Sequence, residues 1–560
     1  MTLDLVVRNG FIVDGTGTPG FHGDLGIAGG RIVAVGEVDG AGRREVDAEG
    51  LVVAPGFVDG HTHMDAQQFW DDLGASSCWQ GVTTVVLGNC GYTLAPVRAG
   101  QRELVSRNIE RAEDIPSEAL ANAVPWTWSG FAEYLDVVDR LPKGLNVGQS
   151  IGHSALRIWA MGEGAYDGPA SSTQLETMRL ELRDALRAGA LGLTTSTSKS
   201  HFTADDRPVA SRMAAWDEVI DLVTLMGRES AGVFQIGGTE EGLDGRLRDL
   251  TLRTGVPVLF PVGSFPHLLR LVEDANEAGG QMCGLTHCRP PICTLQSFRT
   301  QVSFDFLGEG TWHDVRSLPL EQQRPLFQDP QIRERLVEEA HRGDYKPVSQ
   351  GDPFKPDFDA IWVMYSQYLP NPTVAEEARR RGVDPVEVMI DVALEHNFDM
   401  FFLQGFNTPP PEEDIIEVLR SPHTAMTFSD SGAHVGQISD SSIPTHLLAY
   451  WVRERQAFSL EQAVRMITYQ PAKAWRLHDR GLLAPGCGAD ITIFDRDTVA
   501  PLMPQVLSDV PGGYRRLEQR ATGYKMTIVN GEIFTCDGLA TEARCGTLLR
   551  GGTMSTQLRP

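Results

Sequence analysis

Short apolar runs recur along the chain, each bounded by glycine, proline or polar residues. Leu51-Val52-Val53-Ala54-Pro55-Gly56-Phe57-Val58 is one such run, and Val82-Thr83-Thr84-Val85-Val86-Leu87 is another. Six more follow, at 146–151, 191–195, 232–236, 256–260, 281–285 and 425–428. Runs of four to nine residues without polar alternation read as strands buried on both faces, the pattern of a parallel sheet. Segments with helical periodicity lie between several of them, for example 173–188 and 212–229. Eight such strands alternating with helices predict an α/β fold built on a TIM (β/α)8 barrel.

The ends of the chain follow a different rhythm. Leu5-Val6-Val7-Arg8-Asn9-Gly10-Phe11-Ile12-Val13 reads as two strands around a turn, and Arg31-Ile32-Val33-Ala34-Val35 continues the pattern. Ala489-Asp490-Ile491-Thr492-Ile493-Phe494-Asp495 and Lys525-Met526-Thr527-Ile528-Val529-Asn530-Gly531-Glu532-Ile533-Phe534 repeat it near the C-terminus. The expectation is a small β-sandwich domain composed of residues 1–52 and 480–560, with the barrel at 53–479 between them. A stretch at about 292–398 breaks the barrel rhythm with prolines, aromatics and charges. It is expected as an insertion over the barrel mouth, where loops carry function.

Composition narrows the class. The 560 residues are 41% apolar and 22% charged, as in globular proteins. A net charge of −25 argues against nucleic acid or an anionic membrane as partner. The N-terminus lacks a basic leader followed by an apolar core, and no run reaches the length of a membrane span, so a cytoplasmic protein is expected. Eight cysteines are too few for a disulfide framework at this length. A homo-oligomer is compatible with all of this.

The strand ends hold the candidate chemistry. Strand one runs into Gly60-His61-Thr62-His63, where alternate residues share a face, so two imidazoles leave the strand side by side as half of a transition-metal site. Strand two ends in Asn89-Cys90-Gly91, and strand three leads to His153 and Arg157. Strand four leads to Ser196, Ser198, Lys199 and His201. Strand seven ends in Thr286-His287-Cys288-Arg289, and strand eight in Ser429-Asp430-Ser431-Gly432-Ala433-His434. In a barrel these ends converge on one face, where the active site lies. Glu240 and Glu241 read as a solvated loop.

These stretches resemble the amidohydrolase superfamily, in particular the N-acyl-D-amino-acid deacylase (D-aminoacylase) family. The resemblance rests on Pro55-Gly56-Phe57-Val58-Asp59-Gly60-His61-Thr62-His63, Gly81-Val82-Thr83-Thr84, Gly88-Asn89-Cys90-Gly91 and Gly152-His153-Ser154-Ala155-Leu156-Arg157. It continues through Ala188-Gly189-Ala190-Leu191-Gly192-Leu193, Ser429-Asp430, Gln470-Pro471-Ala472 and Gly481-Leu482-Leu483-Ala484-Pro485-Gly486-Cys487-Gly488-Ala489-Asp490. It implies hydrolysis of a linear C–N amide in a small molecule, an N-acyl amino acid, with zinc as one or two ions. His61, His63, Cys90 and Asp430 would be the metal ligands, with Asp430 also the general acid and base. His153, Arg157, His287, Arg289 and His434 would lie near the substrate, an arginine being suited to a carboxylate.

The chain departs from that family at strands five and six, which usually end in metal-binding histidines. Here they read Gly232-Val233-Phe234-Gln235-Ile236-Gly237-Gly238 and Val256-Pro257-Val258-Leu259-Phe260-Pro261-Val262-Gly263, and His267 lies further along. Three completions are open: an imidazole from His287, a carboxylated Lys199, or a site made of His61, His63, Cys90 and Asp430 alone, which is favoured. Two other readings stand beside the deacylase: a cyclic amide hydrolase, and a metal-poor barrel that only binds.

Overall fold

A computed structural model of the chain describes every residue except 1, 114, 239–241, 290–292, 346–354, 368–370, 406–409, 437–439 and 553–560. Glu240 and Glu241 thus lie outside the described residues.

Eight parallel strands form the barrel. Strand one is Phe57–Asp59 continued by His61–Thr62, strand two Val82–Leu87, and strand three Asn146–Gln149 continued by Ile151–Gly152. Strands four to seven are Gly192–Ser196, Val233–Gly237, Val258–Pro261 and Met282–Thr286. Strand eight is Thr424–Met426 continued by Phe428–Ser431. Phe428 pairs with His61, which closes the barrel between strand eight and strand one. Val58, Val86, Val233, Leu259 and Leu285 fill its interior, capped below by Trp475 and Leu477. Outward residues such as Phe234 and Ile236 join the larger core under the helices.

Those helices follow from local signals. Ser171 and Gln174 form a capping box at the start of Ser172–Ala188, and Gly189 ends that helix in the left-handed conformation. Met178, Leu182, Ala185 and Leu186 recur at helical spacing and are the buried face.

The expected terminal β domain is one nine-stranded sheet. It takes Leu3–Ile12, Phe21–Ala28, Arg31–Gly36, Gly42–Asp47 and Val52–Pro55 from one end of the chain. The other end supplies Ile491–Phe494, Tyr524–Val529, Glu532–Cys536 and Leu539–Ala540. Leu5, Val7, Leu25, Ile27, Ile491 and Ile528 share its core. The first long apolar run therefore splits: Val52–Pro55 pairs with Ile491–Phe494 in this sheet, whereas Phe57–Asp59 enters the barrel. Gly56 is the joint, since a β-carbon there would sit 2.0 Å from Thr83 Oγ1.

Two pieces of 480–560 do not stay with that sheet. The hairpin Gln505–Val510 and Tyr514–Glu518 reaches the barrel, where Trp79 Nε1 donates to Glu518 and Leu517 N donates to Val435 O. Leu548–Leu549 adds a parallel strand beside Asn146–Gln149 of barrel strand three.

Between strands seven and eight the chain builds a separate unit. Its three-stranded antiparallel sheet comprises Cys293–Gln296, Ile361–Val363 and Phe402–Gly405. Its own core holds Phe298, Phe304, Trp312, Phe327 and Phe402. The final strand extends this unit past residue 398. Among the described residues no helix is long and apolar enough to cross a membrane.

Candidate metal centre

At the C-terminal end of the barrel, His61, His63 and Cys90 place one ligand atom each within 4.8 Å of one another, and all three are buried. Strand one delivers the histidines. His63 N donates to Ser431 O at 2.8 Å, which fixes the strand's exit against strand eight. Gly432, with φ +96°, lets strand eight pass this close, because a β-carbon there would lie 2.7 Å from Met64 N.

Strand two delivers Cys90 on a tight turn. Asn89 Nδ2 donates to Thr62 O at 3.1 Å and to Val86 O at 2.9 Å, while Cys90 N donates to Gln235 Oε1 at 3.2 Å. Cys90 adopts φ 54°, and Asp430 and His434 adopt φ 50° and 44°. Left-handed backbone at non-glycine residues is costly and concentrates at functional sites.

Asp430 adjoins this three-residue cluster from strand eight. Its Oδ1 lies 3.3 Å from His61 Nε2 and 3.4 Å from His63 Nε2, and Cys90 Sγ lies 3.6 Å from His61 Nε2. Nitrogen, oxygen and sulfur ligands of a tetrahedral zinc-type ion, at about 2.0–2.3 Å from it, stand about 3.3–3.7 Å apart. The three distances given fall in that range, and the imidazole and thiol donors of His61, His63 and Cys90 suit a divalent transition metal.

Electrostatics point the same way. Burial would lower the His61 pKa, but Cys90 and Asp430 outweigh it and raise it to about 9. Burial would raise the Cys90 pKa, but the two imidazoles bring it down to about 7. The same imidazoles hold Asp430 well below the usual carboxylate range despite its burial. A buried thiol and carboxylate drawing positive charge onto two imidazoles are the surroundings a dication satisfies.

The other sequence-derived candidates divide. His434 sits in the loop after Asp430, and its N donates to Glu113 O at 2.7 Å. His201 reaches the rim, where its Nδ1 lies 2.8 Å from Ser196 Oγ and its ring 5.5 Å from that of Tyr92. Burial, then His63 and His434, lower its pKa to about 3. His287 stands one ring away from the cluster. Its Nδ1 is 2.8 Å from Arg289 O, and Phe428, 4.1 Å from the His61 ring by centroids, is 6.4 Å from the His287 ring. It therefore completes no ligand set. Lys199 is exposed, and so is His267.

His153 and Arg157 are engaged elsewhere. Arg157 Nη1 donates to both carboxylate oxygens of Glu218, at 2.6 and 2.7 Å, and its Nη2 donates to Ala165 O and Gly168 O. His153 Nε2 lies 2.9 Å from Glu218 Oε1, and its Nδ1 lies 2.9 Å from Thr195 Oγ1. The expectation that Arg157 meets a substrate carboxylate is corrected: its carboxylate is Glu218, and all three residues are buried.

Sequence reasoning missed two acids. Glu218 sits in the first turn of helix Trp216–Glu229, where an acid reads as a dipole partner. Glu113 lies in the polar stretch Glu110-Arg111-Ala112-Glu113, which reads as solvated, yet it is buried with Oε1 3.5 Å from His63 Nδ1. Nothing in the local pattern distinguishes it.

A barrel with imidazole, thiolate and carboxylate donors at its strand ends defines an enzyme scaffold with a metal centre. The chain belongs to the amidohydrolase family, whose model matches residues 44–232 and 361–534. It is 36% identical over 500 residues to the N-acyl-D-aspartate deacylase of Alcaligenes xylosoxydans xylosoxydans, covering 88% of this chain and 86% of that one. The D-aminoacylase of the same organism is 27% identical over 533 residues, covering 94% and 93%. Among solved structures, D-aminoacylase superposes with a TM-score of 0.64 at 23% identity, over 98% of this chain and 100% of that chain. The N-acyl-D-glutamate deacylase of Bordetella bronchiseptica, solved with zinc and a phosphonate inhibitor, gives 0.61 at 23%, over 98% and 100%. These two superpositions establish the shared fold.

Proposed function

We propose that this amidohydrolase cleaves the linear amide bond of an N-acyl amino acid, with a zinc ion held by His61, His63, Cys90 and Asp430. The observation that carries this reading is the buried group of His61, His63 and Cys90, with Asp430 Oδ1 3.3 and 3.4 Å from the two imidazoles, at the barrel face that holds active sites. The two Alcaligenes relatives, a D-aminoacylase and an N-acyl-D-aspartate deacylase, support the substrate class.

When bound, such an ion polarises a carbonyl and makes water nucleophilic near neutral pH. The protein supplies the rest. Asp430, held ionised by two imidazoles, is the group suited to take a proton from the attacking water. The same carboxyl then returns that proton to the amide nitrogen as the C–N bond breaks. A small pocket beside Asp430 is lined by Gln67, Ser431, Ala433 and Val435, with Arg516 and Leu517 from the C-terminal hairpin.

The test is metal analysis of the purified protein together with amine release from N-acetyl-D- and N-acetyl-L-amino acids with acidic and apolar side chains. Hydrolysis by the zinc-loaded protein, lost in His63→Ala and Asp430→Asn, is expected. Full activity in both variants, or no hydrolysis of any of these amides with zinc bound, overturns the reading.

A further inference from the structure

Glu113 occupies a position that helix physics disfavours twice. It directly follows helix Arg102–Ala112, and its own N–H donates to Ile109 O as the C-terminal cap. A carboxylate at that end meets the negative pole of the helix. It is also buried, which penalises its charge. Neither helix stability nor solvation accounts for an acid there.

Its surroundings do. Among the described residues its one ion pair is with His63, Oε1 to Nδ1 at 3.5 Å. On the opposite side of that ring, Nε2 faces Asp430 Oδ1 at 3.4 Å. The Glu113 carbonyl meanwhile accepts from His434 N at 2.7 Å, tying the same residue to the loop that follows Asp430. A carboxylate on one ring nitrogen keeps the proton there, fixes the tautomer and the ring plane, and leaves the other nitrogen as the ligand atom.

We infer that Glu113 is a positioning residue for the metal centre: it orients His63 through Nδ1, so that Nε2 faces the site beside Asp430. The inference rests on the metal reading of His61, His63, Cys90 and Asp430 given above. It adds a residue from further along the segment between strands two and three that already supplies Cys90. It also gives the site an outer carboxylate where strands five and six offer Gln235 and Pro261 rather than imidazoles.

The experiment is a double-mutant cycle on zinc affinity, measured on the full-length protein by competition with a chromogenic chelator. Wild type, Glu113→Gln, His63→Ala and the double variant are compared, with thermal melts in excess chelator recording the fold without metal. Glu113→Gln is expected to weaken zinc binding 10–100-fold. It is expected to have little further effect once His63 is alanine, because the residue acts through that ring. Glu113→Asp, which keeps the charge but withdraws it by one methylene, is run in parallel and expected to fall between wild type and Glu113→Gln. Unchanged affinity in both Glu113 variants overturns the inference. So does an equal loss in the His63→Ala background, and so does a loss that follows only a lowered melting temperature of the metal-free protein. Absence of zinc binding in the wild type would instead remove the metal reading itself, a distinct outcome.

Discussion

His61 Nε2 and Asp430 Oδ1 stand 3.3 Å apart, one from the first barrel strand and one from the last. They meet because Phe428 pairs with His61 where the barrel closes, so the seam of the fold is also the centre of the site. Closure and chemistry are therefore coupled: a change that opens the seam separates the two residues.

Asp430→Asn keeps the shape and removes the charge. If Asp430 carries the proton, kcat falls about 10²–10⁴-fold while KM changes little. Zinc affinity falls as well, because one of four donors is weakened. Steady-state kinetics at saturating zinc separate the two effects, and a variant with wild-type kcat would remove Asp430 from proton transfer.

Chelation tests the centre as a folding element. A ligand that binds only the folded state stabilises by about 2.7 kcal/mol at a hundredfold excess over its Kd. Stripping the metal is expected to lower the melting temperature and abolish hydrolysis, and added zinc restores both. Cys90→Ser is expected to shrink the zinc-dependent shift in melting temperature, since a hydroxyl replaces the thiolate. An equal shift in wild type and Cys90→Ser would exclude Cys90 as a ligand.

The buried triad of Glu218, His153 and Arg157 makes a prediction about stability and pH. Burial pushes the Glu218 carboxyl up, but hydrogen bonds and charge from His153 and Arg157 overcome this and bring it to about 2, below its ordinary 4.5. A depressed carboxyl contributes stability that is present above its unfolded value and lost as pH falls toward the folded one. The window is therefore between about pH 4.5 and pH 2, and the contribution is about 3 kcal/mol. Glu218→Gln should remove this stretch of acid sensitivity. It should also cost about 3–5 kcal/mol at neutral pH, because Arg157 is left buried without its partner. Denaturant titrations of both proteins at pH 7 and at about pH 3, inside that window, check this, and parallel stability curves would contradict it.

How much was legible follows from where each signal resides. Most of the eight barrel strands fall in short, largely apolar runs, so local sequence reports them directly. His61, His63, Cys90 and Asp430 were legible because each sits immediately past such a run, where the fold dictates convergence. Glu113 was not, since its burial comes from packing against a distant strand end and its neighbours are polar. Arg157 was misplaced for a related reason. Its partner Glu218 lies 61 positions away, and an arginine near a site reads the same whether it meets substrate or a buried acid. The split of 51–59 between two sheets was equally hidden, because Pro55-Gly56 interrupts the run without changing its hydrophobicity.

The unit between strands seven and eight has its own core, and this makes a last prediction. Trp312 is fully buried there, stacked on Phe304 at 4.2 Å, with its Nε1 donating to Leu336 O at 2.8 Å. Trp312→Ala removes that contact area and costs about 3–5 kcal/mol. Its cluster is distinct from the one that packs the barrel, so the loss should fall on this unit first. Calorimetry of the variant is expected to show an added low-temperature transition while zinc content stays at the wild-type level. One shared transition moving together with loss of zinc would mean that the unit and the barrel unfold as a single body.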